Sequence, residues 1–408
     1  MLTVFIRWRK SGDDEWSCAL HGRILSLRQD SQHLHYRAIF PSAPNSPPTP
    51  PLSDSTSTDG PNAHDDEATL ALLHHYFNLT PNLGQLYSQW SSADANFRKK
   101  APRFTGVRVL QQDAWEALVG FICSSNNNIA RISQMVEKLC AHYGPLIGHV
   151  GGAAYHGFPP PAALTGEGVE QRLRQLGFGY RAKYLWKTAC VVAGKGEAWL
   201  EGLRNPEKPV LGVEPRPAGE MVEGGREGYR RAHEQLLELQ GVGPKVADCV
   251  CLMGLGWGEA VPVDTHGRCL TLGIAHCEDV LIKRTVWQIA QRDYKFGKGR
   301  HSSLTKATYD AVANKFRSLW GKEAGWAHSV LFTADLKAFS ERLVAKTEVK
   351  EEKELVKVEE DGAVTVEDVT KKREVLDKRV KRESEQEEHQ VLEVHDTVVR
   401  KSKRRKRG

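Results

Sequence analysis

The chain has 408 residues, 40% of them hydrophobic, and a formal net charge of +6. That is enough apolar material for two or three folded domains, and the cationic excess suits a polyanionic partner. No apolar run is long enough to cross a membrane, no secretory signal is visible, and the eight cysteines follow no disulfide pattern; these features speak against membrane and disulfide-framed secreted classes and for a reducing compartment.

Residues 5–40 alternate apolar and polar positions in 16–20, 24–27 and 34–39, which predicts three short antiparallel strands. Residues 41–67 are rich in Pro, Ser and Asp and read as a disordered insertion. A helical pattern begins at Ala68, and helices dominate through Ala338. Residues 205–228 hold five Gly and four Pro and read as a loop insertion. Beyond about residue 345 the chain is Lys/Glu-rich with almost no aromatics, the composition of a disordered tail. The tail ends in Lys401-Ser402-Lys403-Arg404-Arg405-Lys406-Arg407. That run reads as a nuclear import signal or as a non-specific phosphate contact, and a solubilising tail would have the same composition.

The most informative stretch runs from Leu236 to Asp264. Leu236, Leu237 and Leu239 close one helix, Gly241-Val242-Gly243 forces a turn, and Lys245 to Met253 has the apolar spacing of a second helix. Two helices so joined make a helix-hairpin-helix. Bare backbone at Gly241 and Gly243, beside a helix N-terminus, can approach a phosphate and donate N–H groups to it. Lys245 lies in the first turn of the second helix, where the helix dipole and an apolar wall both disfavour an ammonium and expose a nucleophilic amine. Asp264 follows Ala260-Val261-Pro262-Val263 at a helix N-cap position that would hold it ionised. An amine and a carboxylate together can cleave an N-glycosidic bond: the carboxylate steadies positive charge at the sugar C1′, and the amine attacks C1′ to give a Schiff base. Taken singly, Lys245 reads rather as a solvated lysine and Asp264 as a simple cap. Their occurrence with the hairpin in one unit favours the chemistry.

This combination resembles the helix-hairpin-helix-GPD DNA glycosylases. Further segments narrow the resemblance to the eukaryotic, fungal-like 8-oxoguanine DNA glycosylase/AP lyases. They are residues 121–131 (FICSSNNNIAR), 155–159 (YHGFP), 176–182 (LGFGYRA), 289–294 (IAQRDY) and 324–327 (AGWA). These words occur in the family's order across most of residues 5–340. The resemblance implies an α+β chain: an N-terminal antiparallel β-sheet domain (1–67), truncated here, then a mostly helical glycosylase domain (68–340), then the tail (341–408). It implies Lys245 as Schiff-base nucleophile and Asp264 as catalytic carboxylate. It places Asn126, Arg131 and Arg181 on the cytosine opposite the lesion and makes Tyr180 the wedge that fills the gap left by the flipped base. Phe121, Cys249, Met253, Pro262, His328 and Phe332 become walls of the base pocket, although each apolar one taken alone reads as plain core. Gly241, Gly243, Val246 and His266 become phosphate contacts. The implied partner is double-stranded DNA containing oxidised purines, bound by a monomer with no metal or organic cofactor, though the hairpin carbonyls could hold a structural monovalent cation. The cysteines lack the C-x6-C-x2-C-x5-C spacing of iron–sulfur glycosylases.

Three departures stand out. His328 occupies the place of a glutamine that reads the base edge in the family, and an imidazole cannot donate and accept in one plane as an amide does. Phe5-Ile6-Arg7-Trp8 resembles a family word that follows a Gly-Gln, but Thr3 stands in the glycine's place and the strands that precede it are absent; we expect a miscalled start codon or a lost first exon. Last, Gly267–Thr285 (GRCLTLGIAHCEDVLIKRT) interrupts what the family runs together, and we expect a retained intron. If Gly267 is GGT, a splice donor begins at its second base. If Thr285 is ACA and Val286 begins with G, an acceptor ends there, and splicing restores a valine after His266 in frame. A surface loop is the alternative.

The reading is therefore a bifunctional glycosylase/AP lyase that removes 8-oxoguanine opposite cytosine in the nucleus, with a mitochondrial form left open. Two rivals remain: a monofunctional alkyl-base glycosylase, against which Lys245 argues, and a catalytically impaired DNA-binding product of a mis-spliced or misannotated gene.

Overall fold

The computed structural model describes residues 7–41, 62–101, 104–263, 286–296 and 305–335. It opens with β1 (Arg9–Lys10), β2 (Glu15–Leu20), β3 (Arg23–Gln29) and β4 (Leu34–Ile39), paired antiparallel in that order. The β2–β3 turn is His21-Gly22, with φ of 45° and 74°; two left-handed residues match the strand twist of a tight hairpin. The register sets Ser17 opposite Ser26, their buried hydroxyls 2.7 Å apart. Sequence predicts three strands here; β1 is the addition, too short to leave an alternating pattern.

Both faces of β2 and β3 are covered. Cys18, Leu20, Leu25 and Leu27 enter the main core, whereas Ala19 and Ile24 pack on Tyr155. Tyr155 belongs to a second hairpin, β5 (Leu146–Val150) and β6 (Ala153–His156), turned by Gly151-Gly152. Helices dominate the sequence reading of this region, and it does not include that hairpin.

The helices are α1 (Asn62–Tyr76), α2 (Leu83–Ala93), α3 (Ala95–Lys100), α4 (Ala114–Ser124), α5 (Ile129–Tyr143), α6 (Val169–Gln175), α7 (Arg181–Lys195), α8 (Glu197–Glu201), α9 (Glu227–Leu237), α10 (Pro244–Met253), α11 (Val286–Tyr294), α12 (Lys306–Trp320) and α13 (Ala324–Ala334). Short polar side chains start several of them. Asn82, Asp94, Asp113 and Asn128 each accept the N–H three residues on, and Thr305 and Thr308 form a reciprocal capping box; each such cap contributes about 1 kcal/mol. Helix α1 begins at Asn62, so residues 62–67 are helical rather than part of the Pro-rich insertion. Helix α4, buried from Ala117 through Cys123, forms the centre against which α10 packs, with the Gln112 N–H donating to the Met253 carbonyl at 2.9 Å. Trp8, Leu25 and Leu27 share this core with Leu72, Leu118 and Leu139, so sheet and helices are not separately cored.

Residues 205–226 are irregular, as composition predicts, but α9 takes residues 227 and 228. The segment's two ends are pinned beside one another. Asn205 bonds the carbonyls of Leu255 and Gly256 at 2.8 and 2.9 Å, and the Arg226 guanidinium, 1% exposed, pairs with the fully buried Glu259 at 2.8 Å. No helix among the described residues is long and apolar enough to cross a membrane. The segment 267–285 and the predicted tail 341–408 lie outside the described residues.

Candidate active site and nucleic-acid interface

The predicted helix-hairpin-helix is present: α9 ends at Leu237 and α10 begins at Pro244. The two turn glycines have different reasons to be glycine. Gly241 has φ 82°, and a Cβ there would lie 2.7–2.9 Å from Tyr184 side-chain atoms. Gly243 is exposed, has an ordinary φ of −99°, and a Cβ there would meet nothing within 4 Å. The backbone open to a ligand is thus at Gly243, while Gly241 is closed by Tyr184. Helix α10 has no side-chain cap, and Pro244 stands at its first position, so its positive end faces outward as an anion site. Val246 puts its side chain in the core, leaving only its first-turn backbone for a phosphate.

Lys245 is the second residue of α10 and half-buried, one turn ahead of Asp248 and Cys249. Asp264 and His266 lie outside the described residues, and the chain is followed as far as buried Pro262 and Val263. Phe121, Cys249 and Met253 are buried in the main core, with half-buried Phe332 packed against it. Helix α13 reaches the site through Gly325, whose N–H donates to the Gly258 carbonyl at 2.8 Å and whose Cβ, if present, would fall 2.0 Å from the Ala260 carbonyl oxygen. One turn along, His328 is 4% exposed and stacks on Phe316, ring centres 5.6 Å apart and planes at 25°. Neither of its ring nitrogens has a hydrogen-bond partner among the described residues, and burial pushes its pKa down to about 3. It is a neutral imidazole with one donor and one acceptor unused.

The four residues assigned to the opposite base and the wedge do come together, from the α4–α5 connection and first turn of α5 and from the start of α7. Asn126 is exposed with φ 48°, and Arg131 donates to the Gly177 carbonyl at 3.3 Å. Tyr180 is 47% exposed, stands edge-on to Tyr184 at 5.6 Å, and donates to the Ser125 carbonyl at 3.2 Å. Arg181 is buried beneath the Tyr180 ring at 4.5 Å and donates to the carbonyls of Ser125 and Asn126. Its guanidinium therefore holds the loop that carries Asn126 rather than facing outward.

Sequence reasoning missed a buried cluster behind the hairpin. The Asp248 carboxylate accepts from the Tyr229 and Tyr309 hydroxyls at 2.6 and 2.5 Å, with His233 at 3.8 Å. Burial raises its pKa, against which His233 and the two phenols act. A signal was there, since one carboxylate inside the apolar helix Val246–Met253 needs a buried partner. The sequence assigns no metal. Among the described residues Asp30, His33 and His35 bring ligand atoms within 4.8 Å of one another on the exposed β3–β4 turn, but Asp30 is committed to that turn: it accepts the N–H groups of Gln32 and His33 and pairs with His35 at 2.6 Å.

Comparison with known proteins agrees with this geometry. Residues 5–118 match the family described as 8-oxoguanine DNA glycosylase, N-terminal domain, and residues 119–294 match the HhH-GPD superfamily of base excision DNA repair proteins. The chain is 35% identical over 326 residues to the N-glycosylase/DNA lyase of Saccharomyces cerevisiae, covering 76% of this chain and 77% of that protein. It is 33% identical over 337 residues to the Arabidopsis thaliana N-glycosylase/DNA lyase OGG1, covering 81% and 74%. A solved structure of the Clostridium acetobutylicum 8-oxoguanine glycosylase/lyase, in complex with double-stranded DNA containing cytosine opposite 8-oxoG, shares the fold with a TM-score of 0.57 at 21% identity, over 81% of this chain and 88% of that one. An N-terminal antiparallel sheet joined to a helical body that carries the hairpin is consistent with these two family matches. The chain belongs to the N-glycosylase/DNA lyase family of HhH-GPD base excision DNA repair enzymes.

Proposed function

We propose that this protein removes 8-oxoguanine opposite cytosine from double-stranded DNA and then nicks the strand. The observation that carries the reading is Lys245, half-buried in the first turn of α10 beside the open Gly243 backbone. The uncapped end of α10 receives a phosphate, Tyr180 enters the duplex, and Asn126 and Arg131 read the base left behind. The Lys245 amine attacks C1′ as the C1′–N9 bond breaks, with the Asp264 carboxylate steadying the positive sugar. Opening of the sugar gives a Schiff base, and loss of a C2′ proton expels the 3′ phosphate. A monofunctional enzyme would use water as nucleophile and would need no lysine here. The relatives' names and the DNA in the clostridial complex support the substrate.

Borohydride trapping on a duplex with 8-oxoguanine opposite cytosine tests this. The chain as written and a form without 267–285 are compared, each with and without Lys245→Gln. A Lys245-dependent adduct in the full chain is expected if the segment is a tolerated loop; an adduct only after its deletion assigns the activity to the spliced product. No adduct in either would defeat the reading and leave salt-dependent DNA binding as the chain's property. Transcripts that all encode 267–285 would rule out a retained intron. We further propose a nuclear monomer: a fluorescent fusion should lose nuclear accumulation when 401–407 are removed, and light scattering should give a single-chain mass.

A further inference from the structure

We infer that Asp248 and Tyr309 are positioning residues, which lock the lysine-bearing helix to the strand of backbone that leads into residue 264. The inference rests on the roles of Lys245 and Asp264 proposed above. Asp248 lies on α10 one turn beyond Lys245 and is fully buried. A buried carboxylate is costly unless its oxygens are met by donors. Here one oxygen takes the Tyr229 hydroxyl and the other the Tyr309 hydroxyl.

The Tyr309 oxygen does a second thing: it accepts the Val263 backbone N–H at 3.2 Å. Val263 is covalently next to Asp264, and this is the last hydrogen bond of the described chain before that residue. A carboxylate on α10 is therefore linked through one phenol to the Pro262–Val263 amide plane, one residue before position 264. A phenol both donates and accepts, so the two bonds direct one another and the hydroxyl hydrogen has a single place to go.

The same helix holds the segment a second time. Arg317, two turns after Tyr309 on α12, donates its Nε–H to the Glu259 carbonyl at 3.0 Å and a terminal N–H to the Tyr229 hydroxyl at 2.8 Å. Tyr229 returns the chain of bonds to Asp248. Residues 259–263 are thus gripped at an acceptor and at a donor by side chains from one face of α12, and both grips converge on α10. If the cluster served only stability, apolar side chains of the same volume would serve as well. Its ends fall instead on the backbone between the hairpin and residue 264. Polar partners behind a catalytic group characteristically fix its orientation, and misplacement by about 1 Å can cost about 100-fold in rate.

The test is Tyr309→Phe, which keeps the ring and removes the hydroxyl, with Asp248→Asn as the second variant. Amide hydrogen exchange is read on peptides covering 255–263 and, as a control, 114–124. We expect Tyr309→Phe to release protection at the Val263 amide and leave the control peptide unchanged. Single-turnover base excision should fall about 10- to 100-fold in whichever form of the protein gives the Lys245 adduct, with DNA affinity within about twofold of wild type. Asp248→Asn, which can still accept from Tyr309, should recover part of the rate. Unchanged exchange at Val263, or excision within about twofold of wild type in Tyr309→Phe, overturns the inference. The exchange result does not depend on turnover, so an inactive wild type would defeat the proposed function and still leave this inference open to refutation.

Discussion

A glycine can be required by what lies beside it or by what must reach it, and the hairpin contains one of each. At Gly241 an added methyl meets the Tyr184 side chain and an unfavourable φ together. We expect Gly241→Ala to lose about 2–4 kcal/mol in urea unfolding. Gly243→Ala has room for its methyl, so stability should change by under about 0.5 kcal/mol. DNA affinity should nevertheless fall about tenfold in a filter-binding titration, because the methyl stands where a phosphate must approach. Equal losses of stability in the two variants would contradict the separation. His328 gives a residue-level pH dependence. Its folded pKa, near 3, lies below the unfolded value of about 6.5, so between those values the unfolded chain binds the extra proton. The contribution is fully present above pH 6.5 and is lost as pH falls, by up to about 1.4 kcal/mol per pH unit. Urea titrations from pH 7 to 4 should show an acid slope that is shallower in His328→Leu.

Among the elements, legibility tracked how local the cause was. The hairpin announced itself because Gly-Val-Gly stops a helix wherever it stands, and α10 emerged within one residue of its predicted start. Strands β2 and β3 were legible from their apolar runs, yet alternation did not reveal that both faces are covered, because the cover is β5 and β6, more than a hundred residues away. That second hairpin has its own signal in Gly151-Gly152, masked by the helical patterns on either side. The roles of Tyr309 and Arg317 were not legible at all, since each depends on a partner on α9, on α10 or in the 254–263 segment. For Arg181 the family resemblance implies a base reader, and the packing adds bonds to the Ser125 and Asn126 carbonyls. Helix α13 supplies the element-scale test. Its N-terminus is pressed so closely on Ala260 that Gly325→Ala should cost about 3 kcal/mol or more. Because α13 carries His328 and Phe332, that variant should lose base excision at temperatures where far-ultraviolet dichroism still reports folded helix.

For the whole molecule, charge decides how the protein meets its polymer. The fold's DNA contacts and the six cations in 401–407 can be separated by salt. The logarithm of the binding constant should fall linearly with the logarithm of salt concentration, with a slope of about −0.9 for each phosphate neutralised. Truncation after residue 340 should make the slope shallower if the terminal run lies on DNA. An unchanged slope would leave the run to nuclear import or to solubility.

The irregular 205–226 segment has a practical consequence of the way its ends are held. Asn205 and Arg226 are both fastened to the 255–259 backbone and side chains, while residues 210–217 lie on the surface. Length between two fixed neighbouring posts adds little entropy cost, growing only with the logarithm of the loop. This segment is thus a natural port for an inserted peptide tag or a single attached dye. A fluorophore placed at Val213 would ride on the loop anchored to the 255–259 stretch. Paired with an acceptor on the duplex, it could report the protein's arrival on DNA one molecule at a time.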